Sequence, residues 1–372
     1  MTQQPGFLGG GDPRLANLFR AVGLVVLIGW LLVIGKDLLV PVVAAVIAVY
    51  VLTTAAEAMG RLPVLRHVGA TWRHVLVLVL FILVFIGLGL VITVTVNQLI
   101  ELAPVYRDNL ETLAGHLAAY AGIERHPTWE DIREATIGRI DITALLTSLL
   151  GSVTALGATI FIIIIYAAFL MAERFSFPAK LAAAFPRGDQ AERTAQLIRH
   201  VNGRIGHYLA VKTLINVILG VISYAIMWAM GIDFALFWAV LIALFNYIPY
   251  VGSLIGVIFP VALSLAQFAS LPTTLLLAAL LTIAQVYTGN VLEPRMFSRQ
   301  LNLSAFVILV ALSLWTALWG LPGAILAVPL TSVMAIVFAA LPETRFIAVL
   351  LADHIDETVH APPPAAPAAP AP

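Results

Sequence analysis

The sequence has 372 residues, of which 61% are hydrophobic and only 11% charged, with a mean hydropathy of +1.00; a water-soluble domain carries about a quarter of its residues charged. The chain therefore belongs in a bilayer. Its 20 basic and 20 acidic residues cancel, with no basic stripe of the kind a nucleic-acid binder shows. It has no cysteine, which excludes a disulfide framework and a thiolate metal site. Its eight histidines form no HExxH-type pair, so nothing points to a zinc hydrolase. No cofactor and no metal site is expected.

In chain order, residues 1–17 read as a disordered cytoplasmic N-terminus. Apolar runs at about 18–35 and 38–56, separated by Lys36 and Asp37, read as a tight pair of spans, each near the lower limit of roughly 17–25 residues for crossing. No small-residue cleavage pattern follows the first run, so it reads as an uncleaved span. The run 74–96 is a third span and about 149–171 a fourth, making 18–171 a four-span scaffold. Within it, 97–148 carries four arginines against eight acids. Its apolar residues recur at helical spacing, which predicts amphipathic helices lying on the membrane. Residues 172–210 form a second amphipathic linker, and the stretch 173–212 holds seven Lys/Arg against three acids.

Lys and Arg bias sets orientation. The basic N-terminus, the 57–73 loop and the 173–212 stretch share one side if four spans lie between 18 and 171. The reading is thus a multi-pass protein of the bacterial inner membrane with both termini cytoplasmic and 97–148 outside.

The transport half, 211–340, has a pattern of its own. A span at 211–230 runs outward to a turn at 231–233 flanked by Trp228 and Trp238. The apolar stretch 234–268 is broken by "NYIPYVGSLIGVIFP" (246–260), a span at 272–290 follows, and 303–340 is broken by "WGLPGAILAVP" (319–329). Between the outside turn and Arg295 inside, the number of crossings must be odd. With one crossing at 272–290, residues 234–268 must begin and end outside. Its 35 residues fall short of the roughly 40 that two full spans need, so two half-length helices around a bend fit better. The same argument bends 303–340 near Gly320–Gly323. The fold expected is all-α, with about six full spans plus two re-entrant broken hairpins, the second inverted relative to the first. Residues 341–372 read as a cytoplasmic tail with a disordered Pro/Ala-rich end.

Inverted repeats with broken helices build a substrate site near the membrane midplane, because irregular backbone at that depth survives only within protein or along a wet cavity. The freed N–H and C=O groups of both bends are expected to serve as ligands, with Asn246, Pro249, Gly252, Asn290, Gly320, Pro322 and Gly323 as substrate-binding candidates. Asn216 and Gln285 read as interhelical hydrogen-bonding residues, worth about 0.6 kcal/mol each on average. Asp233 and Glu293 are the only acids in 211–340. Glu293 is the ion-coupling candidate, its helix being expected to end at Pro294; the plainer alternative is a helix-end charge in water or paired with Arg295. Lys36, Asp37 and Lys212 read as boundary charges.

Three passages, "NYIPYVGSLIGVIFP" (246–260), "NVLEPRMFSRQLNLSAF" (290–306) and "ALSLWTALWGLPGAILAVPL" (311–330), resemble the autoinducer-2 exporter family of bacterial membrane transporters. The resemblance implies about seven or eight membrane segments, a homo-oligomer, and transport of a small solute. It also implies functional roles for Trp319, Pro294 and Pro329 beside the candidates above.

The leading function is therefore a secondary transporter, not an enzyme, that exports a small polar solute such as a hydroxylated quorum-sensing signal. No GxxxxGK[ST] motif marks an ATPase of its own. A sodium/proton antiporter of the same fold is the alternative. A membrane scaffold that engages partners through 97–148 and 173–212 is the reading from another class. Partners beyond the solute are a proton or sodium ion, membrane lipid and further copies of the chain. The orientation is checked by single cysteines in this cysteine-free chain: Asn109→Cys and Gln190→Cys should label from opposite faces, and labelling of both from outside overturns it.

Overall fold

A computed structural model describes residues 13–61, 67–120, 142–173, 176–184, 188–297 and 302–354. The expected disordered ends, apart from 13–17, and the 121–141 part of the acidic segment lie outside the described residues. The regular elements are α1 (Pro13–Ile34), α2 (Lys36–Met59), α3 (Ala70–Tyr120), α4 (Ile142–Glu173), α5 (Phe177–Ala184), α6 (Gly188–Ala229), α7 (Ala235–Phe245), α8 (Val251–Phe268), α9 (Leu271–Tyr287), α10 (Glu293–Phe297), α11 (Ala305–Trp319), α12 (Leu321–Ala340) and α13 (Arg345–Leu351). A π-helical turn, Thr288–Leu292, joins α9 to α10. All-helical structure follows from the solvent: hydrocarbon offers no partner to a backbone N–H or C=O, and a helix satisfies both within itself.

Among the described residues, six helices are long and apolar enough to cross a membrane: Lys36–Met59, Ala70–Tyr120, Thr194–Ala229, Val251–Phe268, Leu271–Met296 and Leu321–Ala340. The number matches the sequence expectation, but the membership differs. The broken stretches do not divide into equal halves. Their first arms, α7 and α11, have 11 and 15 residues, whereas α8 and α12 have 18 and 20. At 1.5 Å per residue the long arms reach about 27 and 30 Å, and the short ones only about 16 and 22 Å. The polar flanks also fold differently from the expectation. Residues 97–120 do not form a separate surface helix. They continue the third span as a single helix of 51 residues, roughly 77 Å long. Likewise 188–210 is continuous with the following span in α6.

Both ends of the first hairpin lie together. The Gln267 side chain accepts from the Asp233 backbone N–H at 2.9 Å and donates to the Gly231 carbonyl at 2.8 Å. Asn109 on α3 donates to the carbonyls of Ala266 (3.1 Å) and Gln267 (2.8 Å), and the Tyr106 hydroxyl donates to Asp233 at 2.8 Å. The C-terminal part of α3 thus clamps the start and finish of the α7–α8 hairpin. At the second hairpin, Asn302 donates to the His354 carbonyl and accepts from the backbone of Asp353 and His354, and the Ser304 N–H donates to the Leu351 carbonyl.

Each hairpin closes over a glycine. A Cβ on Gly252 would lie 1.7 Å from the Phe245 carbonyl oxygen, and one on Gly323 would lie 1.9 Å from that of Trp315. Both glycines stand at the start of the long arm and bring it against the last turns of the short arm. Gly320, between the arms of the second hairpin, has φ 65° and ψ −143°, a conformation open in practice only to glycine. Around the hairpins, α3, α6, α7, α8 and α9 share one core containing Leu219, Met227, Ile242, Leu277 and Leu281. Val328 of α12 packs with Ile205, Tyr208 and Leu209 of α6. In the first half, Leu52 and Ala56 pack with Val77 and Met171.

Gly252→Ala and Gly323→Ala should each lower stability by about 1–3 kcal/mol, as overpacking does. Gly87→Ala, where an added Cβ meets nothing within 4 Å and Ala is the better helix former, should not lower it. Thermal unfolding in mild detergent compares the three.

Candidate functional site at the hairpin tips

The tip of the first hairpin, 246–250, is irregular for five residues, and Pro249 explains why: it has no N–H and disfavours helix in the residue before it. The tip nevertheless closes its own backbone. The Asn246 N–H donates to the Ile242 carbonyl, Tyr247 to Leu244, Ile248 to Phe245, Val251 to Pro249 and Gly252 to Ile248. These five donors of the first bend are thus met within the turn rather than left free for a ligand. The Val251–Pro249 bond, at 2.6 Å, encloses Tyr250 at φ 62° and ψ −50°, a γ-turn with positive φ that is rare and strained. Such a residue costs about 1–3 kcal/mol and persists where its surroundings hold it.

The open polar groups are side chains instead. Asn246 donates to the Asn216 side-chain oxygen on α6 at 2.8 Å. Asn216 is 2% exposed, so an interhelical amide pair lies at the tip. One end of the Asn216 amide is engaged. The other, near Tyr247, is buried and has no partner in hydrogen-bonding geometry. Gln285 on α9 presents a second buried, unpartnered amide nitrogen beside Gly256 and Ile242. Leaving such a group unmet costs about 1–3 kcal/mol. Thr213, one turn from Asn216 on α6, shares a 2.7 Å hydrogen bond with the Tyr247 hydroxyl.

Below this amide group, Lys212 forms an ion pair with Glu293. Lys212 is only 7% exposed, so reading it as a boundary charge is corrected. Glu293 neither hangs in water nor pairs with Arg295, and its helix does not end at Pro294. The Glu293 N–H donates to the Thr288 carbonyl five residues back, and the helix continues through Pro294 to Phe297. The extra residue of a π turn rotates everything after it by about 100° relative to a regular helix. That rotation carries Glu293 onto the side facing α6.

The second tip meets the first through apolar packing. Ile248 is buried in the same core as Trp315, Trp319 and Ala324. The Trp319 indole N–H donates to the Leu32 carbonyl of α1 at 3.0 Å, and the Trp315 indole to Thr331 at 3.1 Å. Pro322 sits in the first turn of α12, where a missing N–H costs nothing, and Pro329 is buried inside the same helix. Of the candidates, the structure thus brings together Asn246, Pro249 and Gly252 with Asn216, Lys212 and Glu293. It sets Gly320 and Pro322 on the exposed end of the second hairpin, and Asn290 on an exposed face of the π turn. Tyr250 and Lys212 were missed by sequence reasoning. Lys212 lies 81 residues from its partner with no local signal, and positive φ at a tyrosine has no sequence mark.

Together these features define a multi-pass helical membrane protein with a buried amide and ion-pair site beside a broken helix. The chain belongs to the AI-2E transporter family, whose model, described as "AI-2E family transporter", matches residues 21–343. It is 31% identical over 265 residues to "AI-2 transport protein TqsA" of Escherichia coli (strain K12), covering 69% of this chain and 74% of that protein. It is 36% identical over 194 residues to "Putative transport protein YhhT" of the same strain, covering 52% and 53%. A "Putative transport protein" of Borreliella burgdorferi is 32% identical over 197 residues, covering 53% and 54%. The matched segment thus spans about half the length of the latter two.

Removing one partner of a buried ion pair costs about 3–5 kcal/mol, whereas replacing both by apolar or neutral groups is often near neutral. Lys212→Met should therefore destabilise the protein strongly, and Lys212→Met with Glu293→Gln should recover most of the loss. A double-mutant cycle of detergent melting temperatures reads this.

Proposed function

We propose that this chain is a secondary transporter of the bacterial cytoplasmic membrane that moves a small, neutral, hydroxylated solute, bound at the tip of a re-entrant hairpin. The observation that carries the reading is the half-used amide pair at Asn216 and Asn246. A buried amide with one end open, and a second open amide at Gln285, match a ligand rich in hydroxyl groups, because a hydroxyl both donates and accepts. A molecule of the autoinducer-2 type, the solute that the name of TqsA gives for that relative, has this chemistry. Pro249, Gly252, Gly320, Pro322 and Gly323 then act by shaping the two tips, and Asn290 by lining an approach to them. The shared design of the α7–α8 and α11–α12 hairpins, each with a glycine pressed on the preceding arm, supports an inverted repeat with alternating access. Family resemblance supports assembly into a homo-oligomer.

The Lys212–Glu293 pair favours a second reading, exchange of sodium or protons. An intramembrane carboxylate is the natural carrier of either. A cation reaching Glu293 has to displace the Lys212 ammonium, which makes binding and rearrangement one event.

Flux in proteoliposomes under defined pH and sodium gradients separates these readings. Solute export should be saturable, and Asn216→Ala or Asn246→Ala should weaken solute binding by about 0.5–1.5 kcal/mol, one hydrogen bond, roughly two- to tenfold in half-saturation. Glu293→Gln combined with Lys212→Met, which leaves no buried charge unpaired, should leave downhill solute release largely intact and abolish ion-driven accumulation. A Glu293→Gln protein that still exchanges ions at the parent rate overturns the coupling role. Solute flux that neither amide variant changes overturns the site.

A further inference from the structure

A cavity of about 790 Å³ lies away from the hairpin tips, between α3, the end of α6 and the start of α7. Its walls are Leu90 and Val94 of α3, Trp228 of α6 and Leu236 of α7, all more than half exposed on the single chain. Gln98, Glu101 and Asp233 also line it, and no lysine or arginine does. On α3 the apolar wall precedes Gln98 and Glu101 in sequence, which places the polar groups at one end. Asp233 is already engaged by the Tyr106 hydroxyl. Glu101 has no hydrogen-bond or ionic partner among the described residues.

Length and charge together select an occupant. From Leu90 to Glu101 is eleven residues of helix, about 16 Å, which matches half of a hydrocarbon core about 30 Å thick. The slot is thus one leaflet deep, apolar along its length and anionic at its mouth. We propose that it holds a single phospholipid with a primary-amine headgroup, a phosphatidylethanolamine. The acyl chains lie against Leu90, Val94 and Leu236, the ammonium meets Glu101 at the interface, and the Gln98 amide serves the phosphate. Trp228, an amphipathic ring at the same level, borders the headgroup as interfacial tryptophans do. An anionic lipid of the same length meets two carboxylates and no cation there, so the site discriminates by charge.

The test is native mass spectrometry of the purified full chain after exchange into micelles doped with phosphatidylethanolamine or phosphatidylglycerol. One phosphatidylethanolamine per protomer should be retained in preference to phosphatidylglycerol. Glu101→Gln, isosteric at an exposed position, should weaken that retention about tenfold, the worth of one charged hydrogen bond. Val94→Trp, which fills the slot, should abolish it without lowering the melting temperature of the lipid-free protein. Equal retention of the two lipids, or retention indifferent to both substitutions, overturns the proposal. So does efficient disulfide formation between protomers of Val94→Cys in the membrane, which assigns the slot to a second copy of the chain.

Discussion

A backbone amide in hydrocarbon has no solvent to fall back on, and this constraint governs the rest of the fold. It forces helices throughout, and it makes any interruption a matter of how the released groups are met. At 246–250 the interruption is met twice over. The turn recaptures its own N–H groups, and α6 supplies Asn216 and Thr213 to the side chains of Asn246 and Tyr247. The tip thus meets most of its backbone donors internally and turns polar side chains toward α6.

The two glycines show how close packing replaces the missing span length. A short arm of 11 or 15 residues cannot reach across a bilayer by itself. Pressed against its long partner at Gly252 or Gly323, it shares that partner's surface and leaves no side chain between the two backbones. Small residues serve the same purpose between α6 and α7, where a Cβ on Gly220 would touch Ala243 at 3.2 Å and the Ala239 carbonyl at 3.3 Å. Apolar solvent gives no hydrophobic force to such contacts, so backbone proximity and dispersion carry them.

Much of this was legible in the sequence because lipid makes the code simple. Apolar runs gave four of the six long apolar helices, those at 38–56, 74–96, 211–230 and 272–290, Pro249 with Gly252 and Gly320 with Pro322 gave the two bends, and Asn246 stood out as an amide at a break. What the sequence hid depended on register or on distance. The π turn at Thr288–Leu292 offsets the helix by one residue, so periodicity read from α9 places Glu293 on the wrong face. Lys212 looked like an end charge because nothing nearby marks its partner. The continuation of α3 beyond the bilayer was hidden for another reason: amphipathic spacing at 97–120 is the same for a helix lying on a membrane and for one rising from it to clamp the α7–α8 hairpin.

The Lys212–Glu293 pair has an electrical consequence. Moving one unit charge through 100 mV takes about 2.3 kcal/mol, a large tax on any rearrangement of a membrane domain. Within α6 to α12, the ammonium and the carboxylate cancel at the core of the site. The intact pair thus adds no net charge to whatever part of the chain carries it. On the ion-exchange reading proposed above, a cation that separated the two would give the part carrying either of them an added charge, on which the membrane voltage would act.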